Sequence, residues 1–115
     1  MQHFVIRGRK PLHGTVRPSG NKNSALPLLA ACLLTDQPVL LHNVPNITDV
    51  VTMRRLIESL GATVEEVAKS SWRIECQKID AHIADADLCR QIRASILLAG
   101  PMMARHGVFE MPAPG

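Results

Sequence analysis

The stretch Ser19-Gly20-Asn21-Lys22-Asn23-Ser24-Ala25-Leu26-Pro27-Leu28-Leu29-Ala30-Ala31-Cys32-Leu33-Leu34 sets a polar break directly before an apolar run. Ser24 is placed to cap a helix over that run. Pro27 then falls in the first turn, where its missing N–H has no helical partner to lose. Apolar all round, such a helix is expected to be buried on most sides.

The same alternation of break, helix and strand continues on both sides. Upstream, Phe4-Val5-Ile6 reads as a short strand and Gly14-Thr15-Val16-Arg17 as its partner across a Lys10-Pro11 turn, so a hairpin is expected to open the chain. Downstream, Pro38 to Val44 has a strand's length and stops at Pro45-Asn46. Thr48 reads as an N-cap and Asp49 suits the positive end of a second helix. In that helix Val50, Met53, Leu56, Ile57 and Leu60 recur at helical spacing before Gly61 ends the pattern. Thr63 to Val67 and Trp72 to Cys76 alternate polar with apolar residues across Lys69-Ser70-Ser71, as a half-exposed hairpin does. Ile79 to Asp87 reads as a connector without a clear period.

From Leu88 a third helix is expected, with Leu88, Ile92, Ile96, Ala99 and Met103 on its apolar face. Asp85 or Asp87 stands near its start, Gly100-Pro101 bends it and Gly107 lies just past its end. Val108-Phe109-Glu110-Met111 reads as one more strand. This order of strands and helices argues for an α/β domain. Ser24 to Val44 and Ser95 to Met111 also share a loose pattern of apolar helix, polar break and strand.

Composition bounds the function. The 115 residues are 46% hydrophobic, 20% charged and 3% aromatic, which makes one core and not two. The net charge of +3 is too mild to require nucleic acid. Arg7, Arg9, Lys10, Arg17 and Lys22 crowd the first 22 residues without an acid, but Phe4 is the sole aromatic there and a stacking platform is missing. Seven acids against Lys69, Arg73 and Lys78 reverse the balance from Glu58 to Asp87. Cys32, Cys76 and Cys89 form no CxxC pair, which fits a reducing cytoplasm and buried, inert thiols. The five histidines show no HExxH or paired spacing, so no metal is expected. No apolar run approaches the roughly 20 residues that span a bilayer, and no signal-peptide pattern follows Met1.

Chemistry concentrates at Ser19 to Ser24, which puts a glycine, a lysine, two amides and two hydroxyls at a helix start. Free N–H groups and the helix dipole favour an anion there, and Lys22 adds a full charge suited to phosphate or carboxylate. A capped helix with one solvated lysine has the same sequence. The spacing is not that of a Walker A loop. Arg93 interrupts an apolar stretch and either snorkels to the surface or holds an anion. Asp49 either complements the helix dipole or supports a site. The Met102-Met103 pair reads as core filler.

In order along the chain, Gly14-Thr15-Val16-Arg17-Pro18-Ser19-Gly20-Asn21-Lys22-Asn23-Ser24-Ala25-Leu26-Pro27, Asn43-Val44-Pro45 before Asp49-Val50, Leu60-Gly61-Ala62 and Arg93-Ala94-Ser95 closely resemble the start of the UDP-N-acetylglucosamine enolpyruvyl transferase family. The sister 5-enolpyruvylshikimate-3-phosphate synthases share the architecture, but typically have a Ser-Lys-Ser type sequence where this chain has Asn21-Lys22-Asn23. The resemblance implies an inside-out α/β barrel built from βαβαββ repeats, with substrates between two domains. It implies transfer of the enolpyruvyl group of phosphoenolpyruvate to the 3′-hydroxyl of UDP-N-acetylglucosamine with release of phosphate, the first committed step of bacterial peptidoglycan synthesis. No cofactor is implied, and no nucleic acid or membrane partner.

Residue by residue, the resemblance makes Lys22 the phosphoenolpyruvate-binding lysine, Asn23 the neighbouring amide that contacts substrate, and Arg93 an arginine that helps bind the UDP-sugar. Residues 1–21 become a hairpin that belongs with a second domain, and 22–115 part of the catalytic domain. The proton donor, a Cys or Asp, is expected just after Gly115, so no catalytic residue is expected within this chain and the 115 residues alone are expected to be inactive. Two rival readings stand beside this one: a non-catalytic anion-binding or assembly module, and part of a 5-enolpyruvylshikimate-3-phosphate synthase-like enzyme. The apolar runs Ala25 to Leu34 and Leu88 to Ala104 predict exposed hydrophobic surface and self-association of the isolated chain.

Overall fold

Val50, Met53, Leu56, Ile57 and Leu60 are all fully buried, the first four on one helix and Leu60 as its C-cap, and this helix packs at the core of the domain. The computed structural model describes residues 2–114. Its helices are α1 (Lys22–Ala31), which tightens into a 3-10 turn at Cys32–Leu34, α2 (Thr48–Ser59), α3 (Ala86–Gln91) and α4 (Ala99–His106), with a 3-10 segment, Arg93–Leu98, between the last two. Its strands are β1 (Val39–Leu41), β2 (Thr63–Ala68) and β3 (Ser71–Glu75). The chain is therefore α/β, with one antiparallel sheet in the order β1-β3-β2.

Register explains which sheet face is covered. Ile74 lies between Val39 and Val64, and Trp72 between Leu41 and Glu66. Val64, Trp72 and Ile74 are buried, while Leu40, Arg73 and Glu65 on the opposite face are exposed, as a period of two requires. A register shift between Glu66 and Ala68 leaves Val67 47% exposed. The β2–β3 hairpin closes as the alternation predicts, with Ser70 at φ 61° in its turn.

Several local expectations are corrected. The opening hairpin does not form: residues 2–21 contain no strand, and Phe4, Val5, Ile6, Leu12 and Val16 are exposed. A two-stranded ribbon without a sheet to join is marginal, and Arg9 at φ 64° turns the chain away from pairing. With this arm extended, the radius of gyration is 17.4 Å, against about 13 Å for a compact chain of this length. Helix α1 starts earlier than Ser24, because the Asn21 side chain is the cap and accepts from the Asn23 N–H at 2.7 Å. Pro27 then lies in the second turn. Nor is α1 buried on most sides, since Leu28 stays 50% exposed and only Ala25, Leu26, Leu29 and Ala30 face the core.

Strand β1 is shorter than Pro38 to Val44 because Asn43, at φ 57°, breaks the ladder, although the Val44 N–H still reaches Ser70 O at 2.8 Å. Thr48 is the first helical residue and not the cap, which is Ile47. The long third helix is broken at Ile92, which is extended at φ −138°, ψ 137°. The buried Ser95 hydroxyl donates to Cys89 O at 3.4 Å, a local bond that competes with a regular helix. Cys89, Ile92, Ser95 and Leu98 are buried at a spacing of three that suits 3-10 geometry, and Met102 follows four residues on, in α4. Ile96 and Met103, assigned to the inner face by helical period, are each 53% exposed. Gly100 and Pro101 both fall in the first turn of α4, where the proline's missing N–H has no helical partner to lose. Gly107 ends α4 as expected, at φ 83° with its N–H on Met103 O. In place of a strand at Val108 to Met111 there is a single parallel bridge between Glu110 and Ile83.

Arg105 ties the ends of these elements together. Its guanidinium donates to Leu33 O at 2.9 Å, Thr35 O at 3.0 Å, Gln77 O at 3.2 Å and Cys76 O. Four carbonyls at the frayed ends of α1 and β3 are thereby satisfied from α4.

Candidate functional site

Helices α1 and α2 pack against each other so that their first turns meet at one edge of the domain. Lys22 is the first residue of α1 and Asp49 lies in the first turn of α2. Lys22 Nζ donates to Asp49 Oδ2 at 3.1 Å. Both side chains remain partly exposed, 48% and 38%, so water screens the pair and its contribution is small, about 0.2–1 kcal/mol. An ammonium held this loosely is available to an incoming anion with little to give up.

The helix start itself offers less than the sequence implied. Asn21 Oδ1 occupies the Asn23 N–H, and Asn21 O accepts from the Ser24 and Ala25 N–H groups at 3.2 and 2.9 Å. Besides the Lys22 ammonium in its ion pair, the exposed Asn23 carboxamide and Ser24 hydroxyl make no hydrogen bond among the described residues and are open to an anion. Beside them, a cleft of about 300 Å³ lies between residues 18–28 and 41–44. Ser24 and His42 are on its rim and Ala25, Leu28 and Leu41 on its apolar wall.

Arg93 is exposed and makes no hydrogen bond or ion pair among the described residues. It opens the 3-10 segment, which packs against α1 as well as α2, α3 and α4. Lys22 and Asp49 are brought into contact, while Asn23, next to Lys22 in the chain, and Arg93 are exposed and make no side-chain hydrogen bond among the described residues. The position expected to hold a proton donor, past Gly115, lies outside the described residues.

All three thiols are buried. Burial and the neighbouring Cys76 push Cys32 up to about 11, and burial likewise raises Cys76 and Cys89. Thiols held protonated are poor nucleophiles, in line with the inert role expected of them. Among the described residues no three His, Cys, Asp or Glu side chains come together as a metal cluster, and no helix is long and apolar enough to cross a membrane.

Two features of this edge escaped the sequence reading. Gly20 sits hard against the turn at Asn43 to Pro45, a long-range approach that no local pattern announces. Arg54 stacks over Trp72 at 5.1 Å and donates to Val64 O at 3.0 Å, lining a second groove of about 380 Å³ between α2 and the hairpin. An arginine on a helix that also faces the core carries no periodic signal of such stacking.

The geometry has counterparts in known proteins. The family model for EPSP synthase (3-phosphoshikimate 1-carboxyvinyltransferase) matches residues 6–113. The UDP-N-acetylglucosamine 1-carboxyvinyltransferase of Bradyrhizobium diazoefficiens is 50% identical over 112 residues, 97% of this chain and 26% of that one. Its counterpart in Treponema denticola is 42% identical over 115 residues, 100% of this chain and 27% of that one. The crystal structure of the enolpyruvyl transferase NikO from Streptomyces tendae superposes with a TM-score of 0.72 at 27% identity, covering 84% of this chain and 22% of the other. The chain thus spans about a quarter of the length of the curated relatives it matches. With nearly all of its residues inside the family model and its fold shared with a solved enolpyruvyl transferase, the chain belongs to the EPSP synthase family.

Proposed function

We propose that these residues work as the amino-terminal quarter of an enzyme that transfers the enolpyruvyl group of phosphoenolpyruvate to the 3′-hydroxyl of UDP-N-acetylglucosamine, releasing phosphate, in the cytoplasmic first committed step of peptidoglycan synthesis. The observation that carries this reading is Lys22, a partly exposed cation at the start of α1 held only by a screened ion pair to Asp49. Identity of 50% to a relative of that name supports UDP-N-acetylglucosamine as the acceptor. The order α1-β1-α2-β2-β3 is that of a βαβαββ unit from its first helix onward, which supports the inside-out barrel.

In this reading the Lys22 ammonium leaves Asp49 for the phosphate or carboxylate of phosphoenolpyruvate. There it offsets the charge that builds as the enol carbon is attacked. Asn23 supplies an uncharged donor beside it, and Arg93, unpaired on the neighbouring segment, takes part of the diphosphate charge of the UDP-sugar. Asp49 supports the site by holding Lys22 extended before the anion arrives. The exposed apolar residues of 2–21 pack against a second domain, and proton donation is supplied from outside the residues described.

The test is phosphate release by the full-length protein with both substrates. Turnover with UDP-N-acetylglucosamine that is lost in Lys22→Ala is the expected result. The family model's own description favours one second reading, in which shikimate 3-phosphate is the acceptor. Turnover with that acceptor and none with the UDP-sugar would establish it in place of the first.

A further inference from the structure

We propose that Gly20 is a positioning residue for Lys22, acting through close contact with the turn at residues 43–45; this rests on the reading of Lys22 as the phosphoenolpyruvate-binding cation. A Cβ at position 20 would overlap the Asn43 carbonyl oxygen and stand 2.7 Å from Pro45 Cδ and 2.9 Å from Pro45 N. These are backbone and ring atoms, with no flexible end that could swing aside. Gly20 is not among the glycines with positive φ, so space and not backbone conformation demands the missing side chain. Asn43 completes the contact. Its carbonyl faces Gly20, and its Nδ2 donates to Pro18 O at 3.4 Å.

The contact lies where the two routes to the ion pair meet. From Gly20 the chain passes through the capping Asn21 straight into Lys22, and from Pro45 it passes through Asn46 and Ile47 into Thr48 and Asp49. Any side chain at position 20 must push these routes apart. Displacement of about 1 Å between a charged group and its ligand is enough to cost roughly a hundred-fold in reaction rate.

The test compares Gly20→Ala with Gly61→Ala in the full-length protein, reading KM for phosphoenolpyruvate, KM for the UDP-sugar and melting temperature. Gly61 is the matched control: at φ 120°, a Cβ there would lie 2.5 Å from Lys78 O, at the opposite end of α2 from Asp49. The expected result is that Gly20→Ala raises KM for phosphoenolpyruvate about ten-fold or more, with the UDP-sugar KM within about two-fold, while Gly61→Ala lowers the melting temperature without moving either KM. Equal effects of the two variants on KM, or none from Gly20→Ala, would overturn the proposal. Should Gly20→Ala not fold, Asn43→Gly decides. It accepts the φ of 57° without strain and, by removing the amide bond to Pro18 O and freeing the backbone at position 43, loosens the hold of this turn on the residues that lead through Gly20 to Lys22. A rise of about three-fold or more in phosphoenolpyruvate KM supports positioning, and an unchanged KM overturns it. A wild-type protein without phosphoenolpyruvate-dependent phosphate release defeats the functional reading and this proposal with it; active wild type with unmoved variants defeats this proposal alone.

Discussion

Asp49 Oδ2 accepts from Lys22 Nζ at 3.1 Å across 27 positions of sequence, and this one bond joins the first turns of α1 and α2. Because the pair is partly exposed, water screens it and it adds little to the fold. In Lys22→Ala, stability should fall by less than about 1 kcal/mol, whereas phosphate release by the full-length enzyme should fall about a hundred-fold or more. Chemical denaturation beside steady-state kinetics checks both; a large stability loss with retained turnover would make Lys22 structural.

Met102 is fully buried and its neighbour Met103 is 53% exposed. Met102→Ala should cost about 2–5 kcal/mol and Met103→Ala less than about 1 kcal/mol, read from urea midpoints. A reversed order would restore the helical phase that the sequence pattern favoured.

Arg105 satisfies four carbonyls drawn from the two ends it joins. Arg105→Met should destabilise by about 2–3 kcal/mol, and Arg105→Lys should recover less than half of that, because an ammonium cannot reproduce the planar fork. Equal stability of the lysine variant and the wild type would show that charge alone suffices.

The folded-state pKa of Cys32, about 11, lies above its ordinary value of 9.0. The unfolded chain therefore loses this proton before the folded one does. The contribution of Cys32 to stability is complete below pH 9 and declines as pH rises toward 11. Unfolding followed against pH should show that decline, and Cys32→Ala should flatten it. At neutral pH the three thiols should react with a disulfide reagent only after denaturant is added.

What was legible in the sequence follows from where the information is local. The face of α2 was readable because five apolar residues share one helical period and all five are buried. The β2–β3 hairpin was readable because alternation and turn chemistry agree. The break at Ile92 was not, because a spacing of three and a spacing of 3.6 drift apart only slowly and an apolar stretch satisfies both. The N-terminal strands failed for the opposite reason: Phe4 to Ile6 has strand composition, but pairing requires a partner sheet that these residues do not reach. At the site, the place of Lys22 at the start of a helix was legible from its neighbours in sequence. The approach of Asp49 and the crowding at Gly20 were not, since both are set by how α1 packs on α2.

The extended arm has a consequence for handling the protein. Four of its basic side chains, Arg7, Arg9, Lys10 and Arg17, stand in exposed, irregular backbone where a protease can seat its substrate. Trypsin cleaves poorly before proline, and both Lys10 and Arg17 are followed by one, at Pro11 and Pro18. Brief digestion should therefore stop after Arg7 or Arg9, trimming the apolar Phe4-Val5-Ile6 cluster while leaving the segment that seats Lys22 attached to the body.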